Sequence, residues 1–209
     1  MFELVRSGGW LMVPILLCSV FSVTITLERI WFLRRSRIAP NYLLAQVQQL
    51  IERKELSQDR ISMVNKNSPL GRILAVALLN LGRNREVMKD AIQESGRVVI
   101  HELQRYLNSL GTIAAISPLL GLLGTVIGMI KVFAVISTMG VGDPAALSDG
   151  ISQALITTAA GLSVGIPSLM FHRYFNGRVN ELTVSMEQTA LHLVEFIHGV
   201  GEMTSPKST

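Results

Sequence analysis

The sequence predicts an all-α integral membrane protein with three transmembrane helices, two of them extended into a cytoplasmic helical domain. Three observations carry this reading. Of the 209 residues, 49% are hydrophobic and only 16% charged, which departs from soluble composition toward the membrane class. Three runs hold no charged residue: Ser7 to Leu27, Tyr106 to Ile130 and Gly150 to Phe171. At 1.5 Å per residue each is long enough to cross a hydrocarbon core of ~30 Å. The sequence shows no strand alternation, internal repeat or low-complexity segment.

Basic residues set the orientation. The segment from Glu28 to Arg105 carries 14 Lys or Arg against 8 Asp or Glu, whereas Val132 to Asp149 carries two aspartates and no basic residue. Residues 1–33 therefore read as a periplasmic N-terminus and first span, and 34–105 as a cytoplasmic helical loop. Residues 106–137 form the second span, 138–149 a short periplasmic connector and 150–172 the third span. Residues 173–209 form a cytoplasmic C-terminal helix and tail. The net charge of +4 is a topology signal. It fits nucleic-acid binding poorly, because the basic residues cluster at membrane edges without interleaved aromatics.

The leader MFELVR is nearly neutral and ERIWFLRR resembles a stop-transfer flank, which favours retention of the first span over cleavage. Cys18, the single cysteine, offers no disulfide framework and reads as a small packing residue. Pro14 is expected to bend a lipid-facing helix. Trp10, Trp31, Tyr106 and Tyr174 fall near span ends, where aromatic belts sit. Arg34, Arg35 and Arg37 are candidates for contact with phospholipid headgroups, each contributing ~1 kcal/mol.

Between the first two spans, Leu43, Leu44, Val47, Leu50 and Ile51 recur at helical spacing opposite charged positions. The stretch SPLGRILAVALLNLG follows, with Ser68 as N-cap, Pro69 at the first helical position and Gly82 closing the segment. It is too short to span and reads as a buried or interfacial helix. From Arg85 no strong breaker precedes Pro118, so one helix is expected to run into the second span, on the order of 75 Å if it continues to Ser137. The third span is expected to continue past Arg173 on a stripe of Val179, Leu182, Met186, Leu193 and Phe196, fraying from Gly201.

The informative chemistry lies inside the membrane, where every polar atom needs a partner that lipid does not supply. The second span contains GLLGTVIGM, residues 121–129. Gly121, Gly124 and Gly128 share a face with Ser117 and flank Thr125. Ala154, Thr158, Gly161 and Gly165 make a matching small stripe on the third span, with Thr157 beside it. Small faces and back-bonded threonines are common glue in helix bundles. The alternative is a narrow, sparsely hydrated path lined by hydroxyls.

Neither polar span holds Asp, Glu or His in its interior, so a proton path would need a carboxylate from a partner. Pro118 and Pro167 each remove the N–H that would serve a carbonyl one turn earlier, at Ala114 and Ser163. Enzyme motifs, metal-ligand spacings and cofactor loops are absent, so the chain does not read as an enzyme and no cofactor is expected. His172 reads as an interfacial residue.

These features together resemble the ExbB/TolQ/MotA family of proton-channel proteins over nearly the whole chain: three spans, a cytoplasmic loop of this size, SPLLGLLGTVIGM in the second span and ISQALITTAAGLSVGIP in the third. Within the family the three-span layout is similar to ExbB and TolQ, ExbB being the nearer, whereas MotA has four spans. The resemblance implies a bacterial inner-membrane homopentamer around a single-span partner of the ExbD/TolR type that supplies a membrane aspartate. Proton flow would move a TonB-like protein and energise outer-membrane import of siderophore iron or cobalamin.

It also implies that Thr125 and Thr158, with Thr157, line the proton path, and that Ser117–Pro118 and Pro167 match family steps. Gln153 stands where some ExbB proteins have glutamate, which puts direct proton binding there in doubt. It would be a polar group at the pore mouth with Lys131, which either snorkels or biases the entrance. A TolQ-like role in envelope constriction, a non-conducting membrane scaffold and sodium selectivity are the competing readings.

Overall fold

The computed structural model describes residues 8–53, 55–140 and 144–204. Their elements are helices: α1 (Met12–Phe32), α2 (Arg35–Ile38), α3 (Tyr42–Glu52), α4 (Gln58–Asn67), α5 (Pro69–Leu79), α6 (Arg85–Leu103), α7 (Leu107–Met139) and α8 (Pro144–Thr204). No strand occurs among the described residues. Three of these helical stretches are long and apolar enough to cross a membrane. The chain divides into two compact units, Met1–Arg29 with Tyr106–Phe175, and Ile30–Arg105 with Asn176–Thr209.

In the first unit, α7 and α8 lie against each other along their small residues. A Cβ added to Gly121 would come within 3.0 Å of the Thr157 carbonyl and the Thr158 Cα. One added to Gly161 would come within 2.5 Å of the Ser117 carbonyl and 3.0 Å of the Gly121 Cα. Gly128 meets Ala154 and the Gly150 carbonyl, and Gly165 meets the Pro118 ring. Ascending positions on α7 thus meet descending positions on α8, an antiparallel seam in which backbone touches backbone. Glycine's cost in helix propensity, about 1 kcal/mol each, is offset by contacts that no larger residue could make.

Pro14 falls in the first turn of α1, where its missing N–H costs no helical bond, so it does not bend a span interior as expected. Nor is α1 merely lipid-facing: its Ser22, Thr26 and Arg29 are buried. Cys18 is half-buried and free.

The second unit is built around α5. Ser68 caps the helix by accepting a hydrogen bond from the Gly71 N–H at 3.0 Å, and Pro69 opens it. Leu70, Ile73, Leu74, Ala77 and Leu78 are buried, which makes α5 a core helix. The expected stripe of α3 buries Leu43, Val47 and Leu50, while Leu44 and Ile51 stay partly exposed. Gly82 has φ +86°, the conformation that leaves α5 and that glycine adopts without strain. Beyond Phe175, α8 buries Val179, Leu182, Met186, Ala190 and Leu193. Between α5, α6 and α8 lies an open groove of about 490 Å³ lined by Ile73, Ile92, Ile100, Met186, Ala190 and Val194.

Two expectations about helix limits change. The run from Arg85 into the second span is interrupted: α6 ends at Leu103, Tyr106 takes a left-handed φ of 62°, and α7 starts at Leu107. A non-glycine residue there costs about 1–2 kcal/mol. Tyr106 gains in return a cation–π contact with the buried Arg29 guanidinium, 5.4 Å above its ring. At the far end, α8 begins at Pro144, inside the expected connector, and stays helical to Thr204.

Two outcomes follow from this packing. Gly161→Val should separate α7 from α8 and destabilise the purified protein by about 1–3 kcal/mol, whereas Gly177→Ala on the same helix, where nothing lies within 4 Å of the added Cβ, should be neutral or stabilising. Thermal unfolding in detergent distinguishes the two variants.

The second outcome concerns pH. The Arg72 guanidinium donates to both Glu102 carboxylate oxygens, one at 2.8 Å. That hydrogen bond, reinforced by charge attraction, holds the Glu102 carboxyl below its ordinary range and raises the Arg72 guanidinium. A carboxyl with a depressed folded-state pKa stabilises above its unfolded value, about 4.3, and loses that contribution as pH falls through the folded value. Both side chains are more than a third exposed, so the effect is about 1 kcal/mol or less. Glu102→Gln should lower the unfolding temperature at pH 7, and the difference from wild type should close below about pH 4.

Candidate functional site

Thr157 and Thr158 of α8 lie at the seam with α7, Thr125 stands on α7 one turn from Gly121, and each takes a different partner. Thr157 is fully buried, faces Gly124 of α7, and donates within its own helix to the Gln153 and Ala154 carbonyls at 3.0 and 2.9 Å. Thr158 reaches across, its hydroxyl donating to the Gly121 carbonyl at 3.1 Å. Thr125 donates back to the Leu122 carbonyl at 2.6 Å. Thr125 and Thr158 remain partly exposed.

These bonds define what the site can offer a ligand. With their hydrogens given to carbonyls, Thr125 and Thr158 present only acceptor lone pairs. An arriving neutral carboxyl O–H can donate to such an oxygen directly. An ionised carboxylate needs a donor, so a hydroxyl must first release its carbonyl bond. A hydroxyl bonded in this way can therefore meet the two protonation states of a carboxyl group differently, which a purely apolar seam would not do.

Lys131 and Gln153 come together. The Lys131 ammonium donates to the Gln153 side-chain oxygen at 2.7 Å, and the Gln153 amide nitrogen lies 3.4 Å from the Gly8 carbonyl. Gly9 has φ +71°, and the space its missing Cβ leaves is filled by the Gln153 amide. Seven residues is close to two helical turns, so Lys131 shares the Gly124 face of α7 and not the Thr125 face. The pair thus ties α7 and α8 to the segment leading into α1.

Both prolines lie within their helices. The Pro118 ring packs into the space left by Gly165, and the Ala114 carbonyl, which Pro118 cannot serve, lies beside it. Gly165 would place a Cβ 3.3 Å from that oxygen.

Arg34, Arg35 and Arg37 are exposed, and the Arg37 guanidinium stacks 3.5 Å from the Trp31 ring centre. His172 packs against Gly111, whose missing Cβ admits the imidazole.

Some contacts were not read from the sequence. Ser22 of α1 and Ser168 of α8 share a hydrogen bond of 2.6 Å, with Ser168 also 2.6 Å from the Val164 carbonyl. Serines in both spans are visible in the sequence, but their pairing depends on how α1 docks. Arg29, which the sequence places in a stop-transfer flank, is 2% exposed beside Glu28 at 2.6 Å.

A family model described as the MotA/TolQ/ExbB proton channel family matches residues 65–188. The putative biopolymer transport protein ExbB homolog of Methanothermobacter thermautotrophicus is 33% identical over 181 residues, covering 86% of this chain and 64% of that protein. The putative biopolymer transport protein ExbB-like 3 of Synechocystis sp. is 30% identical over 189 residues, 88% of this chain and 89% of that one. The Tol-Pal system protein TolQ of Haemophilus influenzae is 33% identical over 130 residues, 62% and 50% of the two chains. The chain thus spans about two thirds of its Methanothermobacter relative. The solved C. jejuni MotAB structure shares the fold at a TM-score of 0.53 and 18% identity, covering 96% of this chain and 79% of that one. With its three apolar helices and more than half its length matched by one family model, the chain belongs to the MotA/TolQ/ExbB proton channel family.

Proposed function

We propose that this chain is the ion-path subunit of a bacterial inner-membrane complex that uses the proton motive force to energise TonB-dependent outer-membrane import. In this reading several copies, five by family resemblance, surround a single-span partner of the ExbD/TolR type. The N-terminus faces the periplasm and the C-terminus the cytoplasm. The observation that carries the reading is the Thr158 hydroxyl bonded across the seam to the Gly121 carbonyl, near Thr125, in spans that contain no carboxylate of their own.

The mechanism follows from the donor arrangement. A partner aspartate that takes a proton on the periplasmic side becomes neutral and can donate to Thr125 or Thr158. Once it releases the proton, the carboxylate is attracted to hydroxyl donors, and the threonines must turn from their carbonyls to meet it. Each proton thus exchanges one hydrogen-bond pattern for another at a stiff backbone seam. That exchange can be coupled to a relative movement of the partner span, transmitted to a TonB-like protein. Lys131, held by Gln153, places a fixed positive charge at the periplasmic end, and Arg34, Arg35 and Arg37 with Trp31 anchor the other end at phospholipid headgroups.

The similarity to TolQ favours a second output for the same path, in which the complex acts on envelope constriction. Co-purification separates the two: a TonB-like protein supports import, and TolA-like and Pal-like proteins support the alternative.

In vesicles containing the chain co-assembled with its single-span partner, Thr125→Ala combined with Thr158→Ala should reduce proton flux on the order of 100-fold, with assembly unchanged. Unchanged flux in a normally assembled complex would leave the threonines as helix glue and support the scaffold reading. Flux that follows sodium at fixed pH would replace the proton as the coupling ion.

A further inference from the structure

Among the described residues, the Ser117 hydroxyl is a fully buried side-chain polar atom with no hydrogen-bond partner. The residue is 0% exposed. Several other span hydroxyls are bonded: Thr112, Thr125, Thr157 and Ser168 to carbonyls of their own helix, Thr158 across the seam and Ser22 to Ser168. Ser117 had the same choice open to it, because the Ala114 carbonyl stands three residues earlier, at the offset Thr125 uses. Pro118 deprives that same carbonyl of its helical N–H. Two polar groups one turn apart on α7, a donor-acceptor hydroxyl and a carbonyl, are thus both left without their ordinary partners, at a place where lipid offers none.

Both residues lie at the seam. The Ala114 carbonyl faces Gly165, a position of α8 with no side chain to cover it, and Ser117 is packed beside Gly161, which its own carbonyl faces. Burying a hydroxyl and a carbonyl unpaired destabilises a helix pair, and an alanine at 117 would avoid the first of these costs.

We infer that Ser117 and the Ala114 carbonyl form an internal water site in the α7–α8 seam. One water donates to the Ala114 oxygen and exchanges a hydrogen bond with the Ser117 hydroxyl, satisfying both. The site lies one turn from Gly121, whose carbonyl holds Thr158. Resting on the proton-path reading above, the water and Ser117 carry the path one step further toward the cytoplasm, through the subunit's own seam. A proton arriving on the water leaves as a different proton on its far side, so the hydroxyl and the water return to their starting form. Ser117 is therefore a relay and positioning group, not the group that binds the proton.

Ser117→Ala tests the site in two independent ways on the full complex. Thermal unfolding reads the water without reference to function. If a water is held, alanine removes one of its partners and the unfolding temperature falls. If the hydroxyl is truly orphaned, alanine relieves its burial and the temperature rises, which overturns the water site. Proton flux in vesicles reads the role: a loss of about tenfold is expected for one lost hydrogen bond in the relay, and unchanged flux overturns it. The Thr125→Ala and Thr158→Ala pair serves as the reference. If that pair is silent, the proton-path reading itself has failed, while the sign of the Ser117→Ala temperature shift still decides the water site.

Discussion

The close approach of α7 and α8 is the constraint on which the rest of the first unit depends. Gly121 and Gly161 bring the two backbones to a distance at which a Cβ would sit within 3.0 Å of a neighbouring main-chain atom. Only at that distance can a side chain as short as threonine reach from one helix to the carbonyl of the other, as Thr158 does to Gly121. In a membrane the hydrophobic effect does not drive such contact, since lipid is as apolar as the helix surface. Dispersion between backbones and the interhelical hydrogen bond supply the attraction instead.

The same constraint explains the treatment of polar atoms along the seam. Thr157 is fully buried yet satisfied within α8, so it adds shape without asking anything of α7. Thr158 is bonded between helices, and Thr125 turns back on its own. The two partly exposed threonines, Thr125 and Thr158, therefore have their hydrogens already committed, which biases them toward accepting. The proline at 118 and the glycine at 165 work as a pair: the ring fills the space left by the glycine, and the carbonyl that the proline cannot serve is held at the interface. Beyond the first unit, the capped and buried α5 shows ordinary soluble-protein logic, with Ser68 satisfying an orphan N–H before an apolar run.

Much of this was legible in the sequence because it depends on local periodicity. Charge-free runs, the Ser68–Pro69 start, the small stripes at three- and four-residue spacing and the apolar positions of the α8 extension are one-dimensional signals, each tied to a single helix. The interruption at Tyr106 was not legible. Nothing in the residues around it breaks a helix, and the left-handed turn is held by a contact with Arg29, far away in the chain. The Ser22 to Ser168 bond, separated by 146 positions, and the hydrogen bond between Lys131 and Gln153 escaped for the same reason.

By itself, then, the sequence determined the three long apolar helices, the amphipathic α3, the capped α5 and which faces are small or polar, because hydropathy and the helical period act residue by residue; the short α2 and α4 were not read from it. It also determined that the interiors of the second and third spans hold no Asp, Glu or His. What only the tertiary structure decided is which carbonyl each hydroxyl takes, that the Lys131 ammonium bonds the Gln153 side chain, and that the Ser117 hydroxyl is buried without a partner. Hydrogen bonds are directional and short-ranged, so their partners are chosen by how two helices meet and not by the composition of either one.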